Sequence, residues 1–515
     1  MFASVARKDT PGCTLDVRRG GKILAQRSYG MANLETPQPN GLDTVFEAGS
    51  VSKQLTGALA ARLIERGTLS FDDSIRRWLP ELPALYQPVM LGMLLHHTSG
   101  IRDWGVLADL TGWPRGSRAY SMEDAIALIA QQKAFNFPPG TEFLYSNSNY
   151  LLMARIIERA AGQPFAEFAA AELFTPLGMT QTRWRSDFRP VVPRRAQAYS
   201  PDANGAWQLD MPFEDVVGPG GLLTTVGDLQ RWNAALDEPR RGWVALMTEP
   251  GRLTDGTRVP YGLGIELGPV AGRDAFSHAG STAGYRAWLG RFPADHLWIA
   301  LLCNSGSINT EELGPQLASL FLPAATPKQN ATAQVATATG VPADVPGAYR
   351  NLATDTMVKI VEAESGLRIG SSRFLIISPD DFAAEDGRRA RVSRDSGGHV
   401  SALVVTRSGN APIWLEPTRT SNPDAAELAQ LAGCYRSHDT DGEHCLVFAD
   451  GALRWRSPRG TSQPLQPTIA DTFSAPESGW TLRIRRDAKG AGAGFSASIG
   501  RARQIPFERQ QATVR

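Results

Sequence analysis

The chain has 515 residues, 42% of them hydrophobic, enough for two or three domains with sizeable cores. Its 53 Lys and Arg nearly balance 52 Asp and Glu, which excludes a uniformly basic surface and argues against nucleic acid or an anionic membrane as the main partner. Four Cys, at 13, 303, 434 and 445, are too few and too scattered for a disulfide framework or a metal-ligand pattern. Buried free thiols are therefore expected, with Cys434 facing Cys445 across a hairpin as the alternative.

The opening residues, MFASVARKDTPGCTLDVRRG, lack the apolar stretch of a secretory signal, and no run of about 18 apolar residues follows. The chain as given is expected to be soluble and cytoplasmic, or periplasmic if its N-terminus has been trimmed. TLDVRRGGKILAQRSYG alternates apolar and polar positions around Gly20-Gly21, as a β-hairpin does. SVSKQLTGALAARLIERG carries apolar residues at 51, 55, 59 and 63, a helical stripe ended by Gly67. Helical text recurs at 122–132, 149–161 and 165–173, and strand text at 261–267, 275–278, 284–292 and 297–303. Strands at both ends with helices between predict one α/β (α+β) domain over 1–325 whose sheet is closed by its C-terminal strands.

Residues 326–344, rich in Ala, Thr and Pro without amphipathic period, read as a linker. Two segments of short strands follow, 345–418 and 425–515. They start alike, PGAYRN and AGCYRS, and end alike, IWLEPT and IPFERQ, which predicts two related all-β antiparallel barrels of lipocalin-like type.

Only seven of the basic residues are Lys, and Lys53 alone has a Ser at the third position before it. Arg keeps its proton near neutral pH whereas a buried amine can release it, so a site that needs a proton acceptor requires Lys. In FEAGSVSKQL, Ser50 at the first turn of its helix has a free backbone N–H, and Lys53 lies one turn on, on the same face. The amine is placed to accept the hydroxyl proton as Ser50 attacks a carbonyl. A Ser-x-x-Lys in isolation is more often a cap followed by a solvated Lys.

Two further stretches decide between these. In FPPGTEFLYSNSNYLL, a Pro-Pro-Gly turn precedes Tyr145-Ser146-Asn147, a phenol that can exchange a proton with a leaving group and an amide that can bond Lys53 and substrate. In FSHAGSTAGYRAWLGRF, His278-Ala279-Gly280 follows strand-like residues, and the N–H of Ser281 is a second candidate oxyanion donor. Order and spacing of the three motifs resemble the penicillin-recognising serine hydrolases: class C β-lactamases, DD-peptidases, related esterases and D-aminopeptidases. MLLHHTSGIRDW, GPGGLLTTVGDLQRW and YGLGIEL resemble that family's structural text, and His97 and Thr98 are assigned to packing.

The resemblance implies a β-lactamase-like catalytic domain with Ser50 as nucleophile and Lys53 and Tyr145 sharing acid–base work. Asn147 then orients substrate, Gly280 and Ser281 line its site, and His278 tunes the cleft electrostatically. A His in the third motif attracts a substrate carboxylate less than a Lys does, and two C-terminal barrels are similar to those of bacterial D-aminopeptidases. Glu266, on the strand before His-Ala-Gly, is a candidate for a substrate ammonium, or else a solvated strand residue. Two features depart from the family: only a dozen residues precede the first strand, so the family's usual N-terminal helix is expected to be absent or the chain to be shortened, and IADTFSAPESGW reads as short where the D-aminopeptidases carry a loop that limits substrate size.

The expected activity is release of N-terminal D-amino acids from amides or short peptides through an acyl-enzyme. A broad esterase or weak β-lactamase, and a non-catalytic binding or scaffold protein on the same fold, are the alternatives. The expected partner is a small molecule or short peptide, without nucleic acid, membrane, metal or organic cofactor, and a homodimer is left open.

Overall fold

The computed structural model describes residues 1–238, 242–323, 340–384, 387–407, 410–488 and 490–510. In the first compact unit the strands β1 (Cys13–Arg19), β2 (Lys22–Tyr29), β3 (Glu266–Val270), β4 (Arg273–Thr282), β5 (Tyr285–Phe292) and β6 (Leu297–Cys303) form one sheet in the order β3-β4-β5-β6-β1-β2. All neighbours are antiparallel. The late strands close on the N-terminal hairpin as the sequence predicts, with Cys13 opposite Cys303 and Arg19 opposite Leu297. One stretch of expected strand differs: of 261–267, only the last two residues enter β3.

Strand period divides the sheet into two faces. Leu15 and Val17 of β1, Ile299 and Leu301 of β6, Trp288 of β5 and Ala275 of β4 form one apolar face, packed on Leu317 and Ala318 of a late helix, Thr310–Phe321. Asp16, on the opposite face, accepts hydrogen bonds from Arg18, Gln26 and Gln230. The helix α1 (Ser52–Glu65) is buried at every position from Ser52 to Ala61, so its small and apolar residues run through the core rather than over it.

The second compact unit is discontinuous in sequence. It gathers residues 100–114 and 131–144 together with the C-terminal part of the chain, while 1–99, 115–130 and the chain from 145 to the end of the late helix belong to the first unit. Of the expected linker, residues 326–339 lie outside the described residues. Beyond it, eight strands from Gly347–Asn351 to Asn410–Thr418 close into a barrel, and nine from Gly433–Arg436 to Ala502–Arg509 form a second antiparallel sheet.

The repeated sequence is a structural repeat. Tyr349 donates its hydroxyl to the carbonyl of Val345, and Tyr435 does the same to Leu431, both at 2.7 Å and four residues back. Arg350 stands opposite Glu416 in the first barrel, as Arg436 stands opposite Glu508 in the second. Helix α2 (Trp104–Leu110) places Leu107 and Leu110 in one apolar cluster with Leu431, Tyr435, Trp455 and Phe507 of the second sheet. The short segment IADTFSAPESGW is a hairpin: Thr472–Ala475 and Trp480–Arg486 are joined by residues 476–479 alone.

The cysteines correct the reading of free thiols. Cys13 is bonded to Cys303 across β1 and β6, and Cys434 to Cys445 across two neighbouring strands of the second sheet. Opposed positions on antiparallel strands bring Cβ atoms within bridging range, even for residues 290 apart in sequence. Thiol titration of the denatured, unreduced protein is expected to find no free thiol, and four after reduction. Four reactive thiols before reduction contradict both pairings.

Candidate active site

Ser50 lies in a single 3-10 turn, Gly49–Val51, that runs directly into α1. One helical turn on, the fully buried Lys53 directs its Nζ at three oxygens: Ser50 Oγ at 3.2 Å, Asn147 Oδ1 at 2.9 Å and the carbonyl of Pro219 at 2.8 Å. The two shorter contacts go to groups that only accept. A neutral amine spends its two hydrogens on Asn147 and Pro219 and turns its lone pair to the Ser50 hydroxyl, whereas an ammonium gives its third hydrogen to that same oxygen. Both protonation states are therefore satisfied without rearrangement.

Asn147 opens helix α3 (Asn147–Ala161), which carries it and the preceding Tyr145 to the amine. The Nζ of Lys53 lies 4.7 Å from the centre of the Tyr145 ring. Strand β4 closes the other side. A Cβ added at Gly280 would meet the carbonyl oxygen of Ala48 at 2.1 Å, and one at Gly49, whose φ is +50°, would meet the backbone N of Ser281 at 2.6 Å. Only glycine permits this approach, which sets the Ser281 amide beside the turn that presents Ser50.

His278 is buried and turned inward. Its Nδ1 is 2.6 Å from the carbonyl of Ala279, which can only accept, so Nδ1 carries the hydrogen and Nε2 accepts from the Tyr261 hydroxyl at 2.9 Å. Burial, helped by the nearby Lys53, pushes the imidazole down to about 3. It is a neutral packing and hydrogen-bonding group, its ring centre 5.9 Å from that of Tyr145.

The motif reading missed two groups. Tyr261, expected in a strand, lies in the loop before β3 and holds His278; burial raises its phenol well above the ordinary value. His97, assigned to packing, does pack, with its ring 4.4 Å from that of Tyr145. Its Nδ1 also accepts from the Ser146 N–H at 3.3 Å and the Asn149 amide at 3.0 Å, fixing the turn after Tyr145. The backbone of His97 is left-handed (φ +58°), a conformation costing about 1–3 kcal/mol in a non-glycine residue, and the only advance signal was its place next to a Thr-Ser-Gly turn.

Glu266 is not brought to this group. It stands opposite Ser277, and directly opposed residues share a sheet face, so its side chain lies on the apolar-helix side while His278 points to the other. Its neighbour there is Glu311 at the start of the late helix. Crowding by protein and this second carboxylate raise the Glu266 carboxyl to about 7, although the residue keeps solvent access.

The arrangement is a hydroxyl, an amine and a phenol beside two backbone amides, suited to acyl transfer. A family model described as Beta-lactamase matches residues 2–320. A D-aminopeptidase of Cereibacter sphaeroides is 28% identical over 97% of this chain and 96% of its own length, so the match extends over this chain's C-terminal strands as well. Penicillin-binding protein 4* of Bacillus subtilis is 29% identical over 60% of this chain and 72% of its own. A penicillin-binding protein homologue from Pyrococcus abyssi shares the fold, with a TM-score of 0.54 at 20% identity over 79% of this chain and 96% of that one.

The depressed imidazole gives a pH prediction. Between about 3 and the unfolded value of about 6.5, the unfolded chain binds more protons at His278, so stability rises with pH and is lost as pH falls through that window. Thermal unfolding of the wild type is expected to weaken more steeply from pH 7 to 4 than that of His278→Asn. Parallel curves contradict a neutral buried imidazole.

Proposed function

Since the chain belongs to the β-lactamase family, we propose that it is a serine hydrolase that releases N-terminal D-amino acids from D-amino-acid amides or short peptides through an acyl-enzyme. The observation that carries this is the contact of Lys53 Nζ with Ser50 Oγ, with the amine also bonded to Asn147 and the carbonyl of Pro219. In the proposed course the Ser50 proton passes to Lys53 as Oγ bonds the substrate carbonyl carbon. The N–H groups of Ser50 and Ser281 receive the developing oxyanion, the Tyr145 phenol donates a proton to the departing nitrogen as the C–N bond breaks, and the Lys53 ammonium returns the serine proton to the Tyr145 phenolate. Water then attacks the ester at Ser50, releasing the acid and restoring the hydroxyl.

Two points favour D-amino-acid amides. The D-aminopeptidase relative matches across both the catalytic region and the barrels. His278, neutral and turned to Tyr261, offers no cation to a substrate carboxylate, which suits amides and esters better than free C-terminal acids. The match to a penicillin-binding protein favours a broad esterase or weak β-lactamase as the second reading. Disulfides persist in oxidising compartments, so the proposal places the working enzyme outside the reducing cytosol.

Turnover of D-alanine p-nitroanilide, a short-chain p-nitrophenyl ester and nitrocefin separates these readings. The anilide is expected to be hydrolysed, and Ser50→Ala to abolish that activity by about 10³-fold or more. Hydrolysis of the ester alone excludes the D-aminopeptidase reading, and equal fluorophosphonate labelling of wild type and Ser50→Ala removes Ser50 from its role.

A further inference from the structure

The chain leaves the unit that holds Ser50 and Lys53 after Ser99 and again after Ala130, and re-enters it at Arg115 and at Tyr145. Both excursions are fixed within the second unit by one buried polar cluster. Arg102 and Asp439, each with a side chain 2% exposed, form an ion pair at 2.6 Å. Arg102 also donates to Gln132 Oε1 at 3.0 Å and to the carbonyl of Arg503 at 3.0 Å, and Gln132 Nε2 donates to the carbonyl of Asp439 at 2.6 Å.

The second excursion is held again further along. Asn136 accepts from the N–H of Arg503 at 2.8 Å and donates to the carbonyl of Arg501 at 3.0 Å, and Glu142 pairs with Arg503 at 2.9 Å. Residues 132, 136 and 142 are thus tied in turn, the last of them three positions before Tyr145.

We propose that Asp439, through Arg102 and Gln132, is a positioning residue for Tyr145. Removing one partner of a buried ion pair leaves an uncompensated charge that must find water, so Asp439 leaves the strap 131–144 few alternative paths. The strap ends one peptide bond before the phenol, and displacement of a reacting group by about 1 Å can cost about 10²-fold in rate. The side-chain carboxylate of Asp439, far from Ser50 in sequence, thereby bears on proton delivery to the leaving group. This rests on the acid role of Tyr145 in the proposed function.

The test compares Asp439→Asn with Leu482→Ala, a core truncation elsewhere in the same sheet. An anilide nitrogen needs a proton to depart, whereas p-nitrophenolate leaves as an anion. Well below either melting temperature, Asp439→Asn is expected to lower kcat for D-alanine p-nitroanilide about 10- to 100-fold with KM little changed, and to spare the p-nitrophenyl ester. It is also expected to speed hydrogen exchange across 143–150, and Leu482→Ala to do neither. Equal losses on both substrates, unaltered exchange, or the same selective loss in Leu482→Ala overturns the proposal. If Asp439→Asn does not fold, Gln132→Met, which keeps the ion pair, is read the same way. A wild type inert to the anilide counts against the proposed function instead, and hydrogen exchange then decides the anchor alone.

Discussion

The bond geometry of one buried amine organises the catalytic region. Lys53 has no solvent to satisfy it, so every hydrogen must find a protein acceptor, and an unpaired ammonium at this depth would cost several kcal/mol. Asn147 and Pro219 come from segments distant in sequence, and each must be held for the amine to be tolerated at all. With both held, Nζ also lies within hydrogen-bond reach of Ser50 Oγ, at 3.2 Å. The arrangement that stabilises the lysine is the one that activates the serine.

Around this constraint the backbone is drawn close. Gly49 and Gly280 let β4 lie against the turn that presents Ser50, and α1 passes through the core so that its first turn is fixed by packing rather than by solvent. The phenol is held by two imidazoles and a second phenol: His97, His278 and Tyr261 surround Tyr145 with ring centres 4.4 to 6.3 Å away. In this setting a neutral His278 is a support for neighbours rather than a reagent.

What the sequence disclosed was chemistry encoded locally. Ser50 and Lys53 share a helix face by their spacing, Tyr145 and Asn147 flank one helix start, and Gly280 stands where no side chain fits. The repeat of Gly-x-Tyr-Arg was visible because the same register recurs in both barrels. What it hid depends on partners elsewhere in the chain. The face that Glu266 occupies is set by its pairing with Ser277, which a single strand does not reveal. Cys13 meets Cys303 only once the sheet order is known. Nothing in the apolar stripe of α2 distinguishes a helix that packs on its sequence neighbours from one whose Leu107 and Leu110 join a sheet beginning over 300 residues later.

The Lys53 assignment is tested most directly by acylation of Ser50 followed by mass spectrometry. With a fluorophosphonate at neutral pH, the wild type is expected to gain one adduct on Ser50. Lys53→Arg, which keeps the charge but cannot accept the proton, is expected to gain none on the same timescale. Labelling of folded Lys53→Arg at the wild-type rate would contradict the amine as the base.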